Sequence, residues 1–219
     1  MTKFIIISLT NKCNKSCVYC PVKRWINNPA YPDKLNYKKL TEFLSRMQPD
    51  YVEITGGEPT LVPWLDELCD YMEGNGIKYL VKSNGTNKCR NQVSAWHDEF
   101  PKYYNYILII AYPGFKDKIK YCEEHDIKYK VIGHAGLQGA SYDPIWQEVR
   151  QYSKRELDIV PSPIQTIFVC PSGRVKQCHE REFDGCNEVA PLMITDDLTW
   201  GMTCHDCKSA YDFFLFTSS

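Results

Sequence analysis

The sequence lacks a long hydrophobic run, a surplus of either charge and any low-complexity segment. No apolar stretch approaches the length of about 20 residues that a membrane-spanning helix needs, so we expect no membrane anchor. Lysine and arginine number 26 and aspartate and glutamate 27, which leaves a net charge of −1. Proteins that bind nucleic acid through charge normally carry a basic surplus. The charge therefore does not indicate a nucleic-acid partner, although it is compatible with a nucleotide substrate.

Cysteine, in contrast, is abundant, with eleven in 219 residues. An odd number of cysteines cannot pair completely in disulfides. The apolar run at residues 4–9 is too short for the core of a secretion signal and lacks a small-residue cleavage site. We therefore expect a reducing, cytoplasmic location, where clustered cysteines bind metal more often than they form disulfides.

Three cysteines follow that apolar run with CxxxCxxC spacing: Cys13, Cys17 and Cys20. Three thiolates in one short loop suit three irons of a 4Fe–4S cluster, which normally takes four cysteine ligands. The next cysteine in the chain is Cys69. A cluster held by three thiolates keeps one iron open, and this predicts chemistry at the metal. The competing interpretation is a zinc site, but structural zinc sites prefer four closed ligands.

Two further motifs follow strand-like runs: Gly-Gly-Glu-Pro at residues 56–59 and Ser-Asn-Gly-Thr at residues 83–86. With these motifs, and with Tyr19 before the third cysteine, residues 4–135 resemble the radical S-adenosylmethionine (SAM) enzymes. The resemblance implies that the amino and carboxylate groups of SAM chelate the fourth iron. It also implies that the reduced cluster cleaves SAM to a 5′-deoxyadenosyl radical. The electron would come from a one-electron reductant such as flavodoxin or ferredoxin.

The resemblance assigns roles to the motif residues. The backbone at Gly56 and Gly57 is expected to approach a ligand closely, since glycine has no side chain there, and Glu58 to orient the amino group of SAM. Ser83 and Asn84 are expected to meet its carboxylate or ribose. Ordinary turns are the alternative for both motifs. The complete set expected to bind SAM is Tyr19, Gly56, Gly57, Glu58, Pro59, Ser83, Asn84 and Val131, the last of which would flank the adenine.

A second group of cysteines lies near the C-terminus. Residues 168–178 predict a tight hairpin with Gly173 at its turn, and a Cys-x-x-Cys pair follows at Cys204 and Cys207. This region resembles the auxiliary-cluster SPASM and twitch domains, and a single-cluster twitch-like region is the better match. The implied ligands of a second 4Fe–4S cluster are Cys170, Cys178, Cys204 and Cys207, with Cys186 as the alternative to Cys170. Zinc is a competitor at this site, because His179 and His205 add nitrogen donors.

Alternating strand and helix patterns predict an α/β fold with a parallel sheet. The predicted strands are residues 4–9, 51–54, 79–81, 106–111 and 128–132. One predicted helix follows an Asn36 cap, and the others are residues 64–72, 91–100, 116–125 and 143–157. The apolar faces expected in the core are Leu40, Phe43, Leu44 and Met47 on the first, Trp64, Leu65, Leu68, Cys69 and Met72 on the second, and Ile119 and Cys122 on the helix at 116–125. Only five or six such units fit, and the resemblance implies the family's partial (β/α)5–6 barrel over residues 1–160. Its catalytic loops lie at the C-terminal ends of the strands, so the three motifs are expected to converge there. A small cysteine-rich subdomain over residues 161–219 would follow.

The leading functional hypothesis is therefore a radical SAM oxidoreductase, isomerase or lyase. It would abstract hydrogen from a small-molecule or nucleotide-like substrate, and oxidation or rearrangement would follow. A peptide-modifying or nucleic-acid-modifying radical SAM enzyme is an alternative, although peptide-modifying relatives usually carry an extra recognition domain. A non-enzymatic zinc-binding module is the alternative from a different class.

Overall fold

A ten-stranded, mostly parallel sheet organises the protein. The computed structural model describes residues 1–17, 20, 22–23, 25–111, 114–133, 164–176, 192–193 and 203–204. The strands are β1 (Thr2–Ser8), β2 (Tyr51–Thr55), β3 (Lys78–Ser83), β4 (Gln92–Trp96), β5 (Tyr106–Ala111), β6 (Tyr129–Gly133), β7 (Ile164–Val169), β8 (Arg174–Lys176), β9 (Leu192–Met193) and β10 (Thr203–Cys204). Their order is β6-β5-β4-β3-β2-β1-β7-β8-β9, and β10 pairs with β7. In the described part β6 and β9 do not pair, so the sheet is open, as the partial-barrel prediction requires.

Strand β1 lies at the centre of the sheet. It pairs in parallel with β2 on one side and with β7 on the other, so that Ile5 faces Val52 and Ile167. The four residues from Phe4 to Ile7 are all buried. A strand that is apolar at every position is typical of a parallel sheet covered on both faces.

Three helices are described: α1 (Tyr37–Met47), α2 (Leu65–Gly74) and α3 (Phe115–Glu124). The Asn36 side chain accepts a hydrogen bond of 3.0 Å from the Lys39 amide, which confirms the predicted N-cap. Each helix buries the face that its sequence pattern predicts. The buried residues are Leu40, Phe43, Leu44 and Met47 on α1, Leu65, Leu68, Cys69 and Met72 on α2, and Phe115, Ile119 and Cys122 on α3.

The helix predicted at residues 91–100 is wrong, because this segment forms strand β4. Only residues 84–91 separate β3 from β4, and this is too short for a crossover helix. Val93 pairs with Lys82 on β3 and with Tyr106 on β5. Long-range pairing between two buried strands therefore overrides a local pattern that was compatible with one helical turn.

The hairpin predicted around Gly173 is confirmed. Strand β7 pairs with β8 in an antiparallel register, with Val169 opposite Val175. Gly173 has a φ of 81° and donates to the Cys170 carbonyl at 2.9 Å. The hairpin belongs to the same sheet as β1, while the predicted domain boundary near residue 160 and the predicted helix at 143–157 lie outside the described residues. The division into two domains stays a prediction.

In the part of the chain that the structure describes, every helix is too short or too polar to span a bilayer.

Candidate functional site

The three sequence motifs meet at one edge of the sheet. Strands β1, β2 and β3 are neighbouring and parallel, so their carboxyl ends lie side by side. Three segments follow these ends: the cysteine loop (residues 10–28), the Gly-Gly turn (residues 56–59) and the Asn-Gly turn (residues 83–86). Ligand sites of parallel α/β sheets lie at this edge. The predicted convergence of the motifs is therefore present in the fold.

The cysteine loop brings three free thiols close enough to influence one another. Cys13, Cys17 and Cys20 are half-buried. Burial raises the pKa of the Cys17 thiol, and the charges of Asp98, Cys20 and Cys13 raise it further. Burial likewise raises the pKa of Cys20, to which Cys13 adds a smaller contribution. Three thiolates at this position repel one another, and a bound cation would remove that repulsion.

The donors of the cysteine loop are three free thiols, the ligand type that a 4Fe–4S cluster takes. Among the described residues, no three metal-binding side chains converge on one point that would suit a single ion. A 4Fe–4S cluster requires something different, because each thiolate binds its own iron at a separate corner of the cube. Cys69 and Cys122 are buried on helices, as predicted, and offer no fourth ligand.

Two side chains that the sequence analysis did not select hold the cysteine loop closed. The Cys13 amide donates to Asn27 Oδ1 at 3.0 Å, and Asn27 Nδ2 donates to the Cys13 carbonyl at 2.8 Å. Asp33 accepts from the Asn11 amide at 2.8 Å and from the Thr10 hydroxyl. The only local signal for this arrangement is the residue type, because asparagine tolerates the left-handed backbone that Asn27 adopts at a φ of 55°.

Both glycines of the Gly-Gly turn are required by contact with the cysteine loop. A Cβ on Gly57 would lie 2.1 Å from the Lys12 carbonyl oxygen, and a Cβ on Gly56 would lie 2.7 Å from that of Thr10. The Gly57 amide donates to the Thr10 carbonyl at 2.6 Å, and the Glu58 amide donates to the Lys12 carbonyl at 2.8 Å. The two glycines were expected to let the backbone approach a ligand. In this structure they let it approach the backbone of the cysteine loop.

Glu58 connects the Gly-Gly turn to the Asn-Gly turn. Its carboxylate is fully buried. Oε1 accepts from the Ser83 hydroxyl at 2.9 Å and from the Thr60 hydroxyl at 2.6 Å, and Oε2 accepts from the Asn84 amide at 2.7 Å. Both oxygens therefore bond to donors of the protein. Glu58 orients the site by holding the two turns together, and Pro59 begins the short 3₁₀ turn Pro59–Leu61 that follows.

Asn84 connects the Asn-Gly turn to the cysteine loop. Its Nδ2 lies 2.8 Å from Asn14 Oδ1 and 3.8 Å from Cys13 Sγ. Its Oδ1 accepts from the amide and hydroxyl of Thr86 at 3.0 and 2.7 Å. Thr86 Oγ1 in turn accepts from Asn14 Nδ2 at 2.9 Å. One hydrogen-bond network thus joins all three motifs, and Thr86 and Asn14 are members that were not among the predicted site residues.

Among the described residues expected to bind SAM, Val131 does not join this network. Val131 is buried in the core formed by β5, β6 and α3, where Ile107 and Phe115 belong to the same cluster. Its side chain therefore packs toward a helix. Tyr19 lies outside the described residues, so its role stays a prediction.

Of the predicted auxiliary ligands, the structure describes the side chain of Cys170 alone. This residue directly follows β7, is buried and is disulfide-bonded, with a partner outside the described residues. The backbone of Cys204 pairs with Ile164, at the opposite end of β7. Six residues of extended strand, about 20 Å, separate Ile164 from Cys170. The register therefore does not bring Cys170 and Cys204 together. Cys178, Cys186 and Cys207 lie outside the described residues.

Known proteins share the segment that carries this network. The sequence model of the Radical SAM superfamily matches residues 7–105. The S-adenosylmethionine-dependent nucleotide dehydratase of a Thermoplasmatales archaeon (strain ISO4-H5) is 32% identical over 80 residues, which cover 36% of this chain and 28% of that protein. The mycofactocin maturase MftC of Mycobacterium tuberculosis (strain CDC 1551 / Oshkosh) is 36% identical over 77 residues, which cover 35% of this chain and 20% of that protein. These matches span less than a third of either relative's length.

A solved structure shares the fold over most of the chain. Streptococcus suis SuiB bound to its precursor peptide SuiA has a TM-score of 0.60 and 15% sequence identity. The alignment covers 89% of this chain and 63% of that chain. The likeness confirms an α/β fold with a mostly parallel sheet.

Proposed function

The chain belongs to the radical SAM superfamily, and we propose that it reductively cleaves SAM and abstracts hydrogen from a small-molecule or nucleotide-like substrate. The observation that carries this proposal is the network through which Glu58 and Asn84 hold the three motifs together. Superfamily membership implies a 4Fe–4S cluster and SAM as cofactors. Oxidation or rearrangement of the substrate follows, so the enzyme is an oxidoreductase, isomerase or lyase.

The residues of the site divide the work between metal binding and positioning. Cys13, Cys17 and Cys20 hold three irons, while Asn27 fixes the backbone of the first ligand. When bound, the cluster would supply one electron and SAM a carbon–sulfur bond. Cleavage of that bond gives methionine and a 5′-deoxyadenosyl radical. The radical becomes 5′-deoxyadenosine when it takes a hydrogen atom from the substrate. Each cycle needs one electron, which a flavodoxin or ferredoxin would donate.

A buried ion pair on the sheet face opposite α1 and α2 agrees with a polar substrate. Val52, Ile54 and Val81 belong to the core that packs against α1 and α2. Because side chains alternate along a strand, Glu53 and Lys82 lie on the other face. Lys82 Nζ is 3.0 Å from Glu53 Oε1, and both side chains are largely buried. Buried ion pairs are costly to form and are weak evidence for stability. We therefore propose that this pair serves to recognise polar groups of the substrate.

The comparisons support more than one substrate class. The nucleotide dehydratase relative favours a nucleotide-like substrate, while the peptide-bound SuiB structure favours a peptide as the alternative. A nucleic-acid substrate is a further alternative, which the near-zero net charge does not favour.

A second metal site near the C-terminus is part of the proposal. Its ligands are Cys178, Cys204 and Cys207, with Cys186 or, once its disulfide is reduced, Cys170 as the fourth, and zinc is the alternative metal. The separation of Cys170 from Cys204 along β7 supports Cys186 as the fourth ligand. Metal binding at this site would contribute folding energy to the C-terminal segment.

Anaerobic purification followed by incubation with SAM and dithionite tests the proposed function. We expect protein-bound iron and sulfide and the release of 5′-deoxyadenosine. The variant in which Cys13, Cys17 and Cys20 are all replaced by alanine should lose this release. Cys122→Ala is the matched control, because it removes a thiol from α3, outside the network.

Two outcomes would contradict the proposal. Release of 5′-deoxyadenosine by the triple variant would show that the cysteine loop is not the site. Zinc without iron in the anaerobically purified protein would favour a non-enzymatic zinc module.

A further inference from the structure

We infer that Asn84 is a positioning residue whose side-chain amide donates a hydrogen bond to the sulfur of Cys13 and thereby raises the reduction potential of the bound cluster. The inference rests on the proposed function, because it concerns a cluster held by the cysteine loop. It assigns Asn84 to the cluster, in addition to the contact with SAM expected from its motif.

The geometry gives each amide hydrogen of Asn84 one acceptor. A side-chain amide carries two N–H donors on the same nitrogen. One is directed to Asn14 Oδ1 at 2.8 Å, and the other reaches Cys13 Sγ at 3.8 Å, within the range of hydrogen bonds to sulfur. The Lys15 backbone amide, at 3.4 Å, is a second donor to the same sulfur.

The three cysteine sulfurs differ in their donors. Within the described residues, Cys13 is the one of the three that receives a hydrogen bond from a side chain. Cys20 interacts with the backbone of Val22, and the Cys17 thiol lies near the negative charge of Asp98. Cys20 thus has a backbone donor as well, and the asymmetry lies in the side-chain donor, which is on the Cys13 side.

Asn84 is fixed before any cluster binds. Its backbone amide donates to Glu58 Oε2, and its Oδ1 accepts two hydrogen bonds from Thr86. The amide plane thus cannot rotate away without breaking several hydrogen bonds. A donor held in this way requires little reorganisation when charge develops at the sulfur.

The direction of the effect follows from charge. Reduction adds one negative charge to the cluster, and part of that charge resides on the thiolate ligands. Hydrogen bonds to charged acceptors are stronger than those to neutral ones, and hydrogen bonds to sulfur are among the factors that set cluster potentials. The Asn84 donor therefore stabilises the reduced form more than the oxidised form.

A redox titration of the anaerobically reconstituted full chain, followed by electron paramagnetic resonance, tests this inference. The relevant signal is the one that added SAM alters. For Asn84→Ala we expect a lower potential, with a ratio of reduced to oxidised cluster about tenfold lower at a fixed potential, which is about 59 mV for one electron. Asn87→Ala is the matched control, because Asn87 Nδ2 contacts Thr60 and not a cysteine, and its potential should equal that of the wild type.

An unchanged potential in a fully loaded Asn84→Ala protein would overturn the inference and leave the proposed function intact. A wild-type chain that binds no iron would instead overturn the proposed function. If Asn84→Ala does not load iron, pulsed resonance on wild-type protein with ¹⁵N in asparagine side chains replaces the titration. Coupling of the reduced cluster to an asparagine ¹⁵N supports the inference, and its absence overturns it.

Discussion

The two cysteine-bearing regions of this chain differ in how the rest of the protein supports them. At the cysteine loop, buried side chains from two neighbouring turns bond to the loop and to each other, so its shape exists without metal. At the C-terminal region, Cys170 and Cys204 lie at opposite ends of one strand. The comparison shows that side chains distant in the sequence support the first group of cysteines, whereas strand register separates two predicted ligands of the second group.

The largest expected effect tests whether the first region is held together by its own side chains. Glu58→Leu removes the acceptor of three donors, the Ser83 hydroxyl, the Thr60 hydroxyl and the Asn84 amide. Each buried donor left unsatisfied costs about 1–3 kcal/mol, so we expect the apo protein to lose at least about 3 kcal/mol in free energy of unfolding. Urea denaturation measures this loss. The control Glu42→Gln, at an exposed position on α1, should change the value by less than about 0.5 kcal/mol.

A smaller loss is expected where the Gly-Gly turn contacts the cysteine loop. Gly57→Ala places a Cβ 2.1 Å from the Lys12 carbonyl oxygen, and such overpacking typically costs about 1–3 kcal/mol. Gly74→Ala is the matched control, because a Cβ at Gly74 meets nothing within 4 Å. The Gly74→Ala variant should leave the free energy of unfolding and the iron binding unchanged or slightly improved. Equal effects of the two substitutions would show that the Gly-Gly contact is not tight in solution.

The number of irons bound per chain tests which cysteines of the C-terminal region bind metal. With two clusters the chain should bind about eight irons, and with one about four. If the register of β7 and β10 decides the ligands, Cys186→Ala should lose about four irons and Cys170→Ala none. The reverse result would show that the fourth ligand is Cys170, and that β10 does not keep its pairing when metal is bound.

The smallest expected effect concerns the protonation of the free thiols in the cysteine loop. The pKa values of Cys17 and Cys20 lie above the ordinary thiol value of 9.0. Both thiols are therefore protonated at pH 7, and their alkylation in the apo protein should accelerate as the pH rises past 9. Asp98→Asn removes a charge that raises the pKa of Cys17, so the alkylation profile of Cys17 should move to lower pH. Peptide-resolved mass spectrometry measures both profiles. An unmoved Cys17 profile would exclude an electrostatic role for Asp98.

The sequence predicted the elements and the meeting of the motifs better than it predicted the contacts. Strands such as β1 and helices such as α1 carry strong apolar patterns and a capping asparagine, which are local signals. Strand β4 was mistaken for a helix because its identity depends on pairing with β3 and β5. The roles of Asn27 and Asp33 were missed for the same reason, since each acts on residues distant in the chain.

The function of Glu58 shows a further limit of sequence reasoning. The motif places Glu58 directly after β2, but which of its oxygens meets which donor depends on the spacing of two turns that follow different strands. The C-terminal cysteines show the opposite case. Their spacing resembles a ligand set, whereas the residues that face one another are decided by register along β7.

The central place of β1 has a consequence for the order of events during synthesis. This strand is synthesised well before one of its two neighbours, β7, which begins only at Ile164. Until then β1 has an exposed edge, and pairing between segments so distant in the chain is slow. If the cofactor were inserted before β7 pairs with β1, the cysteine loop would follow a strand that is paired on one side only. We therefore expect cofactor insertion to follow translation of the whole sheet.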